Sequence, residues 1–139
     1  MKESEFLLKY LWFEHREDPQ WRRVRVGLVP DHELARMYAV TLRWADAIVL
    51  HKGEVLIIES KLRADLGAVG QLLGYKELFR VTPEFSAYKD WPIRLQLLIP
   101  FTSLDLVELC SKNDIDYITY TYEEIEEKIK EERIEGLKY

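Results

Sequence analysis

Two acids and a lysine, Asp46, Glu59 and Lys61, stand among valines and isoleucines in the stretch 44–61. Burying such charges beside apolar side chains costs free energy unless a partner or an ion compensates them. Carboxylate oxygens are preferred ligands of Mg²⁺ and Mn²⁺, and a neighbouring lysine can orient water or stabilise charge on a phosphate. These residue types therefore point to metal-dependent phosphodiester hydrolysis. A buried salt-bridge cluster is the alternative interpretation.

A β-hairpin is the element that would bring these three side chains together. Lys52 and Gly53 separate two apolar, β-branched runs, a pattern typical of a two-residue turn. If those two residues form the turn, the register sets Asp46 opposite Glu59, with Cβ atoms roughly 4.5–5.5 Å apart. Lys61 shares their face because alternate residues of a strand point the same way. Both runs are apolar on each face, which predicts central strands covered by helices.

The helix predicted over residues 64–80 follows Lys61 after a short loop and carries two further candidates. Gln71 and Tyr75 are four residues apart and therefore share one helical face. Gln71 offers amide donors for a phosphate oxygen, and Tyr75 offers a phenolic donor or a ring for stacking. Without the acidic pair, an exposed amide and a core aromatic would be the ordinary interpretation.

The remaining elements follow from hydrophobic periodicity and capping signals. We predict a helix over residues 3–15, strands from Trp21 to Val29, Arg94 to Phe101 and Ile115 to Thr121, a helix ending at Lys112, and a final acidic helix. Residues 31–43 are ambiguous between a short helix and an extended lead into the hairpin. The order predicts one α/β domain over residues 1–139, a mixed sheet with helices on both faces.

Smaller signals refine this outline. Thr121 and Glu124 form a capping box that opens the last helix, and Asn113 is a natural left-handed stop for the helix before it. Glycines weaken a helix by about 1 kcal/mol each relative to alanine, so a glycine stripe predicts close approach to the sheet or to a ligand. The helix over residues 64–80 carries such a stripe at Gly67, Gly70 and Gly74.

Composition limits the class of protein. The 139 residues are 47% hydrophobic, enough for a single core. No apolar run reaches about 18 residues, and Glu3 and Glu5 stand where a signal peptide would be basic, so we expect a soluble, cytoplasmic protein without a membrane partner. The single Cys110 can form neither an internal disulfide nor a thiolate cluster, and its apolar neighbours favour a core position.

The net charge of −5 is unevenly distributed. Residues 1–100 carry 15 Lys/Arg and 14 Asp/Glu, whereas residues 101–139 carry 5 and 11. A surface that binds a polyanion would therefore lie in the first hundred residues. The basic candidates for binding DNA are Arg22, Arg23, Arg63, Lys76 and Arg80. Scattered, solvated charges are the alternative, and the tryptophans Trp21, Trp44 and Trp91 are expected in the core more than stacked on bases.

Together these motifs resemble those of the PD-(D/E)xK nuclease superfamily, and within it the RecB-like or λ-exonuclease-like branch. Ala45-Asp46 matches the first acidic motif, Glu59-Ser60-Lys61 the E-x-K motif, and Gln71-Leu72-Leu73-Gly74-Tyr75 the Q-x-x-x-Y motif. Ala45 replaces the family's proline without touching the ligands. The order of elements over residues 3–101 is similar to the restriction-endonuclease-like core of that family.

The resemblance implies a metal-dependent DNA nuclease that acts in DNA repair, recombination or the processing of phage and mobile-element DNA. In the family's pattern, Asp46 and Glu59 would bind Mg²⁺ or Mn²⁺, and Lys61 would serve the attacking water and the transition state. Gln71 and Tyr75 would support the substrate phosphate and the lysine.

The resemblance also bears on cofactors and partners. Relatives often place a glutamate of the first helix near the metal, which makes Glu5 the candidate ligand and Glu14 the second choice. The cysteines that hold an iron–sulfur cluster in some RecB-like nucleases are absent here, so no cluster is expected. DNA is the expected partner, with RNA as the alternative. So small a domain is expected to act as a homo-oligomer or with a helicase or DNA-binding protein.

Two other functions are compatible with the same residues. The first is a catalytically weak or inactive nucleic-acid-binding module of the same fold, which would bind DNA in a salt-dependent way and leave it intact. The second is a structural or interaction domain whose charged cluster is incidental.

Overall fold

The computed structural model describes residues 2–27 and 43–137. Its elements are α1 (Glu3–His15), β1 (Gln20–Val26), β2 (Arg43–His51), β3 (Glu54–Ser60), α2 (Gly67–Phe79), a 3₁₀ helix (Pro83–Tyr88), β4 (Ile93–Ile99), α3 (Leu104–Lys112), β5 (Ile115–Thr119) and α4 (Tyr122–Leu137). This is the predicted order of helices and strands. The prediction for the ambiguous stretch falls outside the described residues, except that Arg43 already belongs to β2.

The described strands form one mixed sheet in the order β1-β2-β3-β4-β5. The pairs β1–β2 and β2–β3 are antiparallel, whereas the pairs β3–β4 and β4–β5 are parallel. The β2–β3 turn has φ values of 49° at Lys52 and 81° at Gly53, the left-handed pair that a type I′ turn requires. Regular pairing extends from that turn to Ala47 and Ile58, in the register predicted from the sequence.

Helices cover both faces of the sheet, and the predicted fold class is confirmed. One face, called here the α2 face, packs α2, the 3₁₀ helix and α3 over side chains that include Ile48 and Ile57. The other, the α1 face, packs α1 and α4 over side chains that include Ala47 and Ile58. Successive side chains of a strand alternate between faces, so the continuous apolar runs of β2 and β3 fill both cores.

The acidic helix α4 packs against its own chain. Ile125 is fully buried on the α1 face, and Glu126 forms an ion pair with Lys9 of α1. The predicted capping box opens the helix, since the Thr121 amide donates to the Glu124 carboxylate and the Glu124 amide donates to the Thr121 hydroxyl. In the described residues, α4 therefore packs its apolar side on the core of its own chain and exposes its acidic side to solvent.

Two local predictions differ from the structure. Outside the helix's own backbone, a Cβ added at Gly70 or Gly74 would meet no described atom within 4 Å, and one added at Gly67 would meet only the Asp65 side chain. The glycines of α2 therefore do not mark a close approach to the sheet, and the alternative of a close approach to a ligand stays a prediction. The left-handed residue that ends α3 is Asp114, with φ 54°, one position after the predicted Asn113.

The structure also bears on the expectations for Cys110 and for membrane-spanning helices. Cys110 is fully buried on the α2 face, as a core residue should be, and burial raises the pKa of its thiol. None of the described helices combines the length and the apolar character needed to cross a membrane.

Candidate active site

The candidate site lies where β2 and β3 separate, at the end of the hairpin far from its turn. The regular ladder stops at the pair Ala47–Ile58. Hydrogen-bonded pairs recur every second residue in such a hairpin, so the next partner of the Ser60 amide would be the backbone of Ala45. The Ser60 amide donates instead to Asp46 Oδ2, over 2.9 Å. The Asp46 side chain therefore takes the place of the backbone ladder and is held against β3.

Glu59 is the most perturbed acid of the described chain. It is only 4% exposed. Burial raises its pKa to about 9, together with hydrogen bonding to Asp46 and the negative charge there, while Lys61 and Tyr75 act in the opposite direction. Its Oε2 atom is buried and has no hydrogen-bond partner among the described residues. Since such an arrangement penalises ionised carboxylates, a cation shared by the two acids would be strongly favoured.

Lys61 and Tyr75 flank the acidic pair. Lys61 follows β3, with Nζ 3.5 Å from Asp65 Oδ2, and its charge lowers the pKa of Glu59. Tyr75 comes from the buried side of α2, and burial together with Glu59 raises the pKa of its phenol. The structure therefore brings Asp46, Glu59, Lys61 and Tyr75 into one region on the α2 face.

Gln71 has a different position from Tyr75. The side chains that α2 buries include Leu72, Tyr75 and Phe79, whereas Gln71 is exposed. Gln71 precedes Tyr75 by one helical turn, but its side chain is exposed to solvent at the edge of the face that buries Tyr75. Gln71 makes no hydrogen bond to a described residue.

The structure does not bring the predicted first-helix ligands to the acidic pair. Glu5 lies on the outer side of α1, where its carboxylate is 3.7 Å from Lys9 Nζ. Glu14 lies at the other end of the helix and accepts a hydrogen bond from the Tyr120 hydroxyl. These positions disfavour both glutamates as ligands, because their carboxylates are engaged on the α1 face.

Glu3 is the first-helix glutamate that sequence reasoning missed. Its Oε1 accepts a hydrogen bond of 3.1 Å from the amide of Leu62, the residue directly after Lys61. Glu3 precedes the buried Phe6 and Leu7 by one helical turn, so it lies on the sheet-facing side of α1. The spacing of three and four residues between Glu3 and these two apolar residues was the signal in the sequence that could have identified it.

An aromatic and basic patch adjoins Asp46. Trp44 is 47% exposed, contrary to the expected core position, and the guanidinium groups of Arg23 and Arg25 each lie 5.9 Å from its ring centroid. Arg23 has φ 51° and interrupts β1–β2 pairing opposite Asp46. A left-handed conformation costs a non-glycine residue roughly 1–2 kcal/mol, and such strain is concentrated at functional positions. We call Arg23, Arg25 and Trp44 the Trp44 patch.

The other basic candidates are distributed over different surfaces. Arg63 is exposed in the loop after Lys61, and Lys76 is half-buried beside Tyr75. Arg80 donates a hydrogen bond to the carbonyl of Lys89. Arg22 lines a groove between α1 and α4, on the face opposite the acidic pair, which disfavours it as part of a DNA surface around that pair.

Two solved structures have a similar fold. A repair endonuclease from Pyrococcus abyssi matches with a TM-score of 0.55 and 19% identity, over 87% of this chain and 48% of that one. A complex of EndoMS with double-stranded DNA matches with a TM-score of 0.51 and 19% identity, over 87% and 46%. This chain thus spans about half the length of each. No family model and no curated protein matches it. At this identity the likeness establishes the shared fold.

Proposed function

We propose that this chain is a metal-dependent DNA nuclease domain of the PD-(D/E)xK superfamily, of the RecB-like type, that hydrolyses phosphodiester bonds in DNA repair or recombination. The observation that carries the proposal is the acidic pair: a Glu59 carboxyl with a pKa of about 9, beside Asp46, with a buried oxygen that has no described partner. The fold shared with a repair endonuclease and with a DNA-bound protein supports it.

Asp46 and Glu59 are the residues that would hold the ion. Their donor set consists of oxygen atoms, which favours Mg²⁺ or Mn²⁺ over softer cations. When bound, such an ion supplies Lewis-acid stabilisation of phosphate charge and activation of water. Without an ion, ionising both adjacent carboxyls in a buried site costs free energy through repulsion and desolvation. A cation held between them would remove that cost, which is why these residues fit a metal.

Lys61 and Tyr75 have distinct tasks in this proposal. The Lys61 ammonium donates hydrogen bonds to the attacking water and to the phosphate oxygens on which negative charge develops. Asp65, 3.5 Å away, restrains the lysine before substrate arrives. The raised pKa of Tyr75 keeps its phenol protonated, so that it donates to Glu59 and holds that carboxylate in place. Gln71, on the solvent side of α2, donates its amide to a neighbouring phosphate.

The Trp44 patch is the proposed substrate contact next to the acids. An exposed indole provides a stacking surface for a base, and the two guanidinium groups beside it neutralise phosphates. Arg63 and Lys76 would extend this surface past Lys61 and Tyr75. A second copy or a DNA-binding partner would supply further contacts with the duplex.

The test is cleavage of labelled single-stranded, double-stranded and branched DNA with Mg²⁺ or Mn²⁺. Wild type is compared with Lys61→Ala and Asp46→Asn, and with Lys52→Ala as the matched control at the turn of the same hairpin. Cleavage should be lost in the first two variants and kept in the control. Equal products from wild type and Lys61→Ala would overturn the proposed site.

A DNA-binding module of the same fold is the second candidate. It rests on the Trp44 patch, whose contacts with DNA require no metal. Salt-dependent DNA binding with no cleavage under either metal would select it.

A further inference from the structure

A second group of metal-ligating side chains lies beside the hairpin turn. His15 ends α1, Asp18 lies in the connection to β1, and His51 is the last residue of β2. The Nδ1 atoms of His15 and His51 lie 2.9 Å and 2.6 Å from the same oxygen, Asp18 Oδ2. One potential ligand atom from each residue lies within 4.8 Å of the other two.

This group is separate from the acidic pair. His51 and Asp46 are five residues apart on β2, which corresponds to roughly 17 Å along a strand. His51 has the strand parity of Val49, a residue of the α1 face, whereas Asp46 acts with Glu59 and Tyr75 on the α2 face. The two groups therefore share no ligand.

The fold holds the three residues in place through their neighbours. The Tyr10 ring lies edge-on to His15, with centroids 5.8 Å apart, and Gln20 Nε2 donates to the His15 carbonyl over 2.8 Å. The Leu50 amide donates to the Pro19 carbonyl over 3.0 Å, which fixes the connection against β2. Ligands from three elements are thus positioned before any ion arrives.

Solvent reaches the group from one side only. His15 is buried, whereas the side chains of Asp18 and His51 are 21% and 32% exposed. Asp18 presents one carboxylate oxygen to both imidazoles, on the side that solvent reaches.

The chemistry of this donor set differs from that of the acidic pair. Two imidazoles and one carboxylate are typical ligands of zinc, with solvent in the fourth position. Tetrahedral ligands at zinc distances lie roughly 3.3 Å apart. The two imidazole–carboxylate separations are 2.9 Å and 2.6 Å, and all three ligand atoms lie within 4.8 Å of one another. An ion would replace the protons that Asp18 now shares with the two imidazoles, and only side-chain adjustments are needed.

We propose that His15, Asp18 and His51 bind Zn²⁺ at a site independent of the nuclease centre, which ties the end of α1 to the β2–β3 hairpin. Bound metal links residues far apart in sequence and so stabilises the folded state by mass action. A hydrogen-bonded His–Asp–His group without metal affinity is the competing account, and the experiment separates the two.

The experiment is calorimetric titration of Zn²⁺ into untagged, chelator-treated protein, with Tm measured in parallel. The variants are Asp18→Asn and His51→Gln, which keep hydrogen-bonding groups, and Glu17→Gln is the exposed acidic control next to the site. We expect wild type to bind one Zn²⁺ per chain. The Kd should be at least ~10-fold higher in both ligand variants and unchanged in the control. Zn²⁺ should raise the Tm of wild type by more than it raises that of His51→Gln.

A second comparison shows which of the two groups binds the ion. Asp46→Asn should bind Zn²⁺ as tightly as wild type, and Co²⁺ should give the intense visible absorption of a tetrahedral site in wild type and not in His51→Gln. Absence of Zn²⁺ binding, equal affinity in wild type and both ligand variants, or loss of binding in Asp46→Asn would each overturn the proposal.

Discussion

The two ends of the β2–β3 hairpin carry acids in contrasting surroundings. At the open end, Glu59 is buried beside Asp46, and its pKa rises to about 9. At the turn end, Asp18 accepts hydrogen bonds from two imidazoles, and its pKa falls. Burial acts to raise the pKa of both acids, and the imidazole partners reverse that effect at Asp18. An oxygen-only pair suits a hard cation, whereas the mixed imidazole and carboxylate group suits zinc.

The largest effect is expected from the lysine at the open end. Lys61→Ala should lower the rate of DNA cleavage by ~10²–10³-fold, because one preorganised donor to developing charge is removed. Initial rates with saturating Mg²⁺ measure the loss. His51→Gln, at the turn end, should cleave at the wild-type rate. A similar loss in both variants would mean that the two ends are not functionally separate.

The next effect is on the pH dependence of stability without metal. The raised pKa of Glu59 means that the folded state binds its proton more tightly than the unfolded state does, so the stabilisation is complete below the ordinary value of 4.5 and is lost as pH rises toward about 9. Wild type in chelator should therefore lose Tm between pH 5 and 9 relative to Glu59→Gln.

Asp18, at the turn end, is the control, because its contribution to stability depends on pH in the opposite direction. Since the pKa of Asp18 is lowered, its contribution to stability is present above the unfolded pKa and is lost as pH falls. Wild type should therefore lose Tm as the pH falls below the unfolded pKa of Asp18, and Asp18→Asn should lack this loss. The decline of Tm between pH 5 and 9 should be the same in Asp18→Asn and wild type. Parallel Tm curves for wild type and Glu59→Gln from pH 5 to 9 would contradict the assigned surroundings of Glu59.

A smaller effect is expected at the Trp44 patch. Trp44→Ala should weaken DNA binding by ~1–3 kcal/mol, the range for loss of one base–aromatic stack. Fluorescence anisotropy in the Lys61→Ala background measures binding without cleavage. Trp12→Ala is the matched control, because Trp12 lies on α1 against Arg16 and Arg133. Equal losses in the two tryptophan variants would assign the effect to folding and not to the patch.

The sequence predicted the features that depend on local rules. A turn dipeptide and the two-residue period of strands determine the register of the hairpin, so the placement of Asp46 near Glu59 followed without tertiary information. The order of elements predicted a mixed sheet covered on both faces, and the structure has that architecture.

Features that depend on packing between distant elements were not predicted. The rotation of α1 on the sheet follows from the burial of Phe6 and Leu7, and it places Glu3 against the Leu62 amide and Glu5 beside Lys9. The 47% exposure of Trp44 likewise follows from which elements cover the sheet and not from a local pattern. The group of His15, Asp18 and His51 joins residues separated by up to 36 positions, beyond the reach of any local pattern.

The smallest predicted effect is the sharpest test of the rotation of α1. Glu3→Gln should raise the Mg²⁺ concentration for half-maximal cleavage by up to ~10-fold, because Glu3 holds the Leu62 amide next to Lys61 and contributes negative charge near the acids. Glu5→Gln, two positions away and paired with Lys9, should leave that concentration unchanged. Both variants remove one carboxylate from the same helix, so net charge and helix composition are matched. A shift in Glu5→Gln and none in Glu3→Gln would contradict this role of Glu3 and would favour Glu5, the glutamate first predicted from the sequence.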